Sequence, residues 1–449
     1  IHIHTCQKYR TTHKISTNIA NCYSNLKNIE KLMVNFKVYY ISFQIIFKNS
    51  FIIKIFRQIE VNLLYIRNYG KMSSMEQLKQ LRLIHLCIAI TFFTSGLIIN
   101  TIQLVLFLTL KPINKRAFRK MMYYLCYSLY SQMIFVTDWY SNSSVKLYMD
   151  EEDEKKYLGK ENALLMMNHT YEIDWLAGWM LSEKVAVLGN CKAYAKKVIV
   201  YVPVIGWAWK FAEFVFLERS FDKDKAMISK QLKEVFAYPD PTWLLLNAEG
   251  TRFTEKKHEA SIKFAEDRGM QVLKHHLIPR TKGFTASLPS LHGRCPAVYD
   301  VNLSFKKEVS PTISNLLNGR FVEAHMFIRR IPLDAIPNDE KKAAEWLQDL
   351  FKEKDRIQES FHTTGSFFET SGIKQTAHKY YKRRLCCLIN FLAWSIFSIS
   401  IIMYYLISSL LLHNWIGLSI ALGILLTFYI LMEKAIGMSK ISRYKNAHT

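Results

Sequence analysis

Two long stretches without a single Asp, Glu, Lys or Arg constrain this chain more than any other feature: residues 83–110 and residues 385–432. A helix needs roughly 20 predominantly apolar residues to cross a bilayer, so the first is long enough for one crossing and the second for two. The first is also too long for the core of a secretory signal and lacks a small-residue cleavage site. His413-Asn414, near the middle of the second, supplies the turn of a hairpin. Lys111, Lys115, Arg116, Arg119 and Lys120 follow the first stretch, against Lys79 and Arg82 before it. Lys379, Lys382, Arg383 and Arg384 precede the second, and Lys434, Lys440, Arg443 and Lys445 follow it. Basic flanks stay on the cytosolic side. The expectation is an N-terminal transmembrane helix at 83–110, two transmembrane segments at 385–432, a cytosolic tail at 433–449, and a cytosolic domain between. A hairpin that enters the bilayer without crossing leaves the same signature, and that alternative stays open.

The 60 Lys and Arg against 37 Asp and Glu give a net charge of +23, which points to anionic partners: phosphates, nucleic acid or the anionic face of a membrane. The eight Cys are scattered, without metal-ligand or disulfide-framework spacing. The chain begins with Ile, and Met72 and Met75 precede the first orderly pattern. Residues 1–71 are therefore expected to be an extension outside the functional fold. Their apolar run at 38–66 is broken by Lys48, Lys54, Arg57 and Glu60.

Residues 120–360 read as one α/β domain with a mixed sheet and flanking helices. Apolar runs predict strands at 163–167, 185–188, 242–246, 297–305 and 322–331; the first three are short, as where both faces of a strand are covered. Helical periodicity predicts helices at 223–236 and 339–358. The aromatic stretch 198–217 reads either as a core helix or as a helix at a bilayer surface with Trp at headgroup depth.

Asn168-His169-Thr170-Tyr171-Glu172-Ile173-Asp174 follows the first strand. Five positions on a continuous helix would leave His169 and Asp174 roughly 140° apart, so they can meet only if the chain turns between them. An Asp on one imidazole nitrogen fixes the tautomer and leaves the other nitrogen as a base. The plainer alternative is an Asp174 helix cap beside a polar loop histidine. Glu249-Gly250-Thr251-Arg252 follows the strand at 242–246. Gly250 permits a tight turn, Thr251 offers a hydroxyl and Arg252 a planar fork for phosphate, although an exposed turn would read the same way. Phe216-Leu217-Glu218-Arg219 closes the aromatic stretch, with Arg219 either a second phosphate ligand or the polar end of a core element.

In combination these residues resemble the 1-acylglycerol-3-phosphate (lysophosphatidic acid) acyltransferase family. Its Asn-His-x-x-x-x-Asp motif is present at Asn168 through Asp174, its aromatic-led segment ending in Arg at Phe216 to Arg219, and its Glu-Gly-Thr-Arg motif at Glu249 to Arg252. Cys295-Pro296-Ala297-Val298-Tyr299-Asp300 is nearest to its apolar, Pro-centred fourth motif. Pro279-Arg280-Thr281-Lys282-Gly283-Phe284 is similar to an animal subgroup with paired C-terminal hydrophobic segments. Asn247-Ala248 stands where the wider family has Phe-Pro.

The resemblance implies a glycerolipid-acyltransferase fold and acyl transfer from acyl-CoA to the sn-2 hydroxyl of lysophosphatidic acid. It implies His169 as base with Asp174 orienting it, and Arg219, Glu249, Gly250, Thr251 and Arg252 at the substrate phosphate. No metal or cofactor is implied, acyl-CoA being a co-substrate; the partners are membrane lipids and not nucleic acid. The implied location is the endoplasmic reticulum membrane, multi-pass with the catalytic domain cytosolic, or the Golgi. Another lysophospholipid acceptor, such as lysophosphatidylinositol or a lysocardiolipin, and a non-catalytic lipid-binding scaffold are the competing readings. Deleting residues 1–71 is expected to leave acyl transfer within about threefold of the full chain. A truncated protein that folds but is inactive would overturn the exclusion of that segment.

Overall fold

The computed structural model describes residues 74–218, 221–306 and 308–439. The expected extension at 1–71 and the tail from 440 onward lie outside them. The chain enters through helix α1 (Arg82–Ile113) and helix α2 (Lys115–Phe135), then strands β1 (Ser144–Tyr148) and β2 (Ala163–Met167). Helix α3 (Asp174–Lys184), β3 (Cys191–Lys196), α4 (Ile205–Phe211), β4 (Val215–Leu217), α5 (Phe221–Val235) and β5 (Trp243–Leu246) follow. Next come α6 (Glu255–Glu266), α7 (Thr281–Leu291), β6 (Ala297–Phe305) and β7 (Glu323–Pro332). Helix α8 (Glu340–Thr364), β8 (His378–Tyr380), α9 (Leu385–Leu411) and α10 (Trp415–Ser439) end the described chain. The strands form an eight-stranded mixed sheet in the order β4-β3-β5-β2-β6-β7-β1-β8. It is parallel from β4 through β6, while β6 with β7 and β1 with β8 are antiparallel.

Alternation along the central strands sorts side chains into two layers. Leu165 and Met167 of β2 join a core with Leu129, Tyr130 and Ile134 of α2 and Leu176 and Trp179 of α3. Leu164 and Met166 face the other way, into a core with Ile228 and Leu232 of α5, Phe284 and Leu288 of α7, and Leu347 and Phe351 of α8. Every residue of β2 is buried, which is why it is a continuous apolar run. Strand β6 is buried throughout too, yet carries Asp300, Asn302 and Ser304 at alternate positions. Asp300 and Ser304 meet α8, while Asn302 Nδ2 donates to Asp300 Oδ2. Lys354 Nζ binds Asp300 Oδ1 at 2.5 Å and the Val301 carbonyl at 2.8 Å, and Gln358 donates to Ser304 Oγ and the Leu303 carbonyl. Arg329 grips the other Asp300 oxygen with two N–H groups. Burial raises the Asp300 pKa, but Lys354 and Arg329 more than offset it and hold the carboxyl below its usual range.

The expected strand at 185–188 is a turn. Val187 N–H returns to the Ser182 carbonyl and Ala186 adopts a φ of 60°, so α3 is closed off before β3 begins at Cys191. The aromatic stretch 198–217 is not one helix: a 3-10 turn (Lys197–Tyr201), α4 and β4 divide it, with breaks at Pro203, at Val204 (φ 68°) and at Glu213 (φ 59°).

Among the described residues three helices are long and apolar enough to cross a membrane: α1, α9 and Trp415–Gly437 within α10. Helix α9 ends beside His413, and the Asn414 side chain accepts from Gly417 N–H at the start of α10, so the turn falls at His413-Asn414. Helix α1 is held along its whole length. Tyr140 donates to the Lys79 carbonyl just before it, Gln132 reaches Ser95 at its middle, and Lys111 pairs with Glu213 at its end (2.8 Å). A Cβ on Gly96 would lie 2.3 Å from Val204 Cγ1, so only glycine lets α1 come this close to the start of α4. The hairpin packs at its root. Asn390 exchanges hydrogen bonds with Ser128, Phe391 stacks on Phe135, Phe428 stacks on Phe93, and Glu433 pairs with Arg82.

Removing one partner of a buried ion pair leaves an uncompensated charge. Lys354→Met should therefore lower the unfolding free energy by ~3–5 kcal/mol, with Asp300→Asn in the same chain recovering part of the loss. Denaturant unfolding in detergent micelles checks both; an unchanged midpoint for Lys354→Met would refute the coupling.

Candidate active site

The two motifs meet at the C-terminal ends of neighbouring parallel strands, where α/β sheets place their ligands. Met166 of β2 pairs with Leu246 of β5, so both loops leave the sheet side by side. Asn168, fully buried, extends the β2 ladder with its side chain: Oδ1 accepts from Leu303 N–H (2.8 Å) and Nδ2 donates to the Leu303 carbonyl (2.9 Å). His169 is then fixed through its backbone. Its N–H donates to Glu249 Oε1 (3.1 Å) and its carbonyl accepts from Phe253 N–H (2.7 Å).

The chain turns over Thr170–Ile173 and α3 begins at Asp174, the turn that a meeting of His169 and Asp174 requires. His169 Nδ1 and Asp174 Oδ2 are 2.6 Å apart, and Asp174 Oδ1 accepts from Trp175 N–H (2.7 Å). The Asp174 side chain is 1% exposed and that of His169 21%. With the carboxylate accepting at both oxygens, Nδ1 is the donor to Asp174, and in the neutral imidazole Nε2 holds the lone pair. A buried, doubly bonded carboxylate behind a partly exposed imidazole can orient a general base.

Glu249 is 2% exposed and spends both oxygens on backbone N–H groups, those of His169 and of Leu277 (3.1 Å each). It ties three segments together. Gly250 turns with a φ of 70°, its N–H donating to the Asn247 carbonyl (2.9 Å). Thr251 Oγ1 accepts from Lys257 Nζ (2.6 Å), which also donates to the Arg252 carbonyl (3.1 Å). Arg252 therefore stands between the Gly250 turn and the Phe253 bond to the His169 loop. Arg219 lies outside the described residues. Before it, β4 pairs with β3 and Phe216 N–H donates to Gln231 (2.8 Å).

Cys295–Asp300, read as the fourth motif, lies elsewhere. Ala297 pairs with Ala163 at the start of β2, whereas His169 follows the other end of that strand, so Cys295 and Pro296 sit at the opposite, N-terminal end of the parallel strands. The apolar, Pro-containing segment that reaches the loops is Leu277-Ile278-Pro279-Arg280. Leu277 N–H binds Glu249, and Arg280 N–H binds the Ala248 carbonyl (2.7 Å). Its signal in the sequence is the run Pro279 to Phe284. A cavity of about 800 Å³ opens beside the Gly250 turn, lined by Gly250, Thr251, Lys257, Arg280 and Lys282 among others.

A Cβ at residue 250 would lie 2.7 Å from Arg280 Cδ, on a backbone conformation that side chains disfavour. Gly250→Ala is therefore expected to cost ~1–3 kcal/mol of stability, read by denaturant unfolding. A variant as stable as the parent would show that the turn relaxes freely.

The profile of the family described as Acyltransferase matches residues 147–287, and that described as Acyltransferase C-terminus matches residues 315–394. The rat 1-acyl-sn-glycerol-3-phosphate acyltransferase delta is 43% identical over 318 residues, 71% of this chain and 82% of the relative. The human delta and gamma proteins of the same name are 44% and 42% identical over the same shares of each chain. The crystal structure of the 1-acyl-sn-glycerophosphate (LPA) acyltransferase PlsC from Thermotoga maritima aligns with 63% of this chain and 98% of its own, at 14% identity and a TM-score of 0.36. On identity and coverage with the delta and gamma relatives, the chain belongs to the 1-acyl-sn-glycerol-3-phosphate acyltransferase family.

Proposed function

We propose that this chain moves an acyl group from acyl-CoA to the sn-2 hydroxyl of 1-acylglycerol-3-phosphate, giving phosphatidic acid and free CoA. The observation that carries the reading is the bond between His169 Nδ1 and the buried Asp174, held against the Glu249 loop. His169 Nε2 takes the hydroxyl proton as the oxygen attacks the thioester carbonyl carbon. The C–S bond then breaks, and the imidazolium returns its proton to the departing thiolate. General-base help of this kind is worth roughly 10²–10⁴-fold. Arg252, Thr251 and Gly250, with Arg219, serve the substrate phosphate, and Glu249 shapes that pocket. The chemistry uses no metal or cofactor, and no nucleic acid takes part.

The same reading places the protein in the endoplasmic reticulum membrane, the Golgi being the second address. The α9–α10 hairpin crosses the bilayer and α1 brings the chain to it, with the catalytic domain on the cytosolic side. Basic residues at both roots of the hairpin support that orientation. Acceptor and product both carry long acyl chains, so a site fixed at the bilayer surface meets them where they reside.

The test is transfer of labelled acyl-CoA in detergent or liposomes, across a headgroup panel, with His169→Ala beside the parent. Expected are phosphatidic acid from the parent and a loss of at least about 10²-fold in the variant, with membrane insertion unchanged. Activity within a few-fold in His169→Ala would remove it as the base. Transfer only to other lysophospholipids would replace the acceptor.

A further inference from the structure

The loop carrying His169 is secured from behind by α8, a helix that contributes no residue to either motif. The main-chain ladder between β2 and β6 ends at Met167 and Val301. Beyond it the Asn168 side chain takes over, bonded to both the N–H and the carbonyl of Leu303. A carbonyl oxygen accepts two hydrogen bonds. The second on Leu303 comes from Gln358 Nε2 of α8 (3.1 Å), which also donates to Ser304 Oγ. Ser304 and Phe305 then meet the turn between His169 and Asp174. The Tyr171 ring packs edge-on against Phe305 with centroids 4.8 Å apart, and its hydroxyl lies among Ser304, the Phe305 backbone and Gln358. Gln358 is 1% exposed, and a buried amide costs free energy unless its partners are in place. The packing of α8 does not call for one, since Leu347, Phe351, Ile357 and Phe361 already supply its apolar contacts. Position 358 lies one helical turn after Lys354, whose bonds to Asp300 and Val301 fix the register of α8. The amide is thereby delivered to one point, beside Asn168. On the same helix Asp355 accepts from Lys274 and His275 N–H (2.8 and 2.7 Å), just ahead of the Leu277 N–H that Glu249 holds. Both segments that Glu249 joins are thus referred back to α8.

We propose that Gln358 is a positioning residue for the proton transfer at His169, holding the Asn168–Asp174 turn through Leu303, Ser304 and Tyr171. It touches no substrate, and the proposal rests on His169 being the general base. His169 Nδ1 and Asp174 Oδ2 meet at 2.6 Å across that turn. A reacting group displaced by about 1 Å loses on the order of 10²-fold in rate. Without the amide donor the fold stands, because Asn168 keeps its own two bonds to Leu303. What is lost is the second tether that keeps the turn from rocking. The loss therefore falls on kcat and not on substrate binding.

The experiment sets the full-length parent in detergent beside Gln358→Met, which keeps the side-chain length without the donor, and Ser304→Ala. Ile357→Val, which loosens α8 against Phe327 and Phe361 instead, is the control for packing alone. Transfer from oleoyl-CoA to lysophosphatidic acid gives kcat and KM, and hydrogen-exchange mass spectrometry reads the backbone of residues 168–174 without turnover. Gln358→Met should lower kcat by about tenfold and Ser304→Ala by about threefold, with both KM values within about threefold of the parent. Both variants should speed exchange over 168–174, whereas Ile357→Val should leave kcat and that exchange as in the parent. In an Asp174→Asn background Gln358→Met should cost less than about twofold more, because changes that act through one dyad are not additive. Undiminished kcat in Gln358→Met, a loss carried by KM, the full loss persisting beside Asp174→Asn, or an equal loss in Ile357→Val would overturn the inference. Ser304→Ala, measured the same way, decides the question should Gln358→Met not fold. Failure of the general-base reading shows itself separately: His169→Ala would stay active while exchange over 168–174 still answered to Gln358, which sustains the tether and removes its catalytic role.

Discussion

The buried carboxylate of Glu249 is the interaction on which the rest of the site depends. Its two oxygens hold backbone N–H groups from segments 80 and 28 residues away in sequence. A carboxylate is all acceptor, so it suits two converging N–H groups as no amide or hydroxyl of similar size does. One oxygen sets the height of His169 above the end of β2, and the other draws Leu277 and hence Arg280 against the Gly250 turn. Charge-assisted bonds of this kind are stronger than neutral ones, and burial keeps water from competing for them. The His169 imidazole and the basic cavity are thereby referenced to one anchor.

Beneath that anchor, the sheet presents different chemistry to its two sides. Toward α1, α2 and α3 the central strands offer apolar residues. Toward α8, β2 is apolar as well, but β6 adds Asp300 and Ser304, which Lys354 and Gln358 of α8 answer. A purely apolar interface would tolerate small slips of α8. The buried ionic set allows one register, and Lys354 also reaches the Met166 carbonyl (3.4 Å), two residues before Asn168. Positional accuracy at the loops therefore begins inside the domain.

Elements whose own composition decides their state were legible in the sequence. Strands β2 and β6 agree with their apolar runs to the residue, and the turn of the hairpin falls at His413-Asn414. Strand β3 was not legible, because Cys191-Lys192-Ala193-Tyr194-Ala195-Lys196 has little strand character alone and is made a strand by pairing with β5 and β4. The aromatic stretch misled for the converse reason: its rings suggested one helix, but Pro203 and two positive-φ residues cut it. At the site, the spacing of His169 and Asp174 allows a meeting only across a turn, and the structure has both the turn and the contact. The double duty of Glu249 and the approach of Arg280 were hidden, because both are set by contacts between segments far apart in sequence.

The way α1 is fastened has a mechanical consequence. Lys79, just before α1, is bonded to Tyr140 after α2, Lys111 in its last turn pairs with Glu213 before β4, and the roots of α9 and α10 are bonded to α1 and α2. The apolar hairpin is thus a mast stepped into the hull, not a rope tied to it. A hairpin seated in this way does not turn independently of the α/β domain: its rotation carries the His169 and Glu249 loops with it. For an acyltransferase whose acceptor is a lipid, that stiffness presents the site in one orientation relative to the apolar helices.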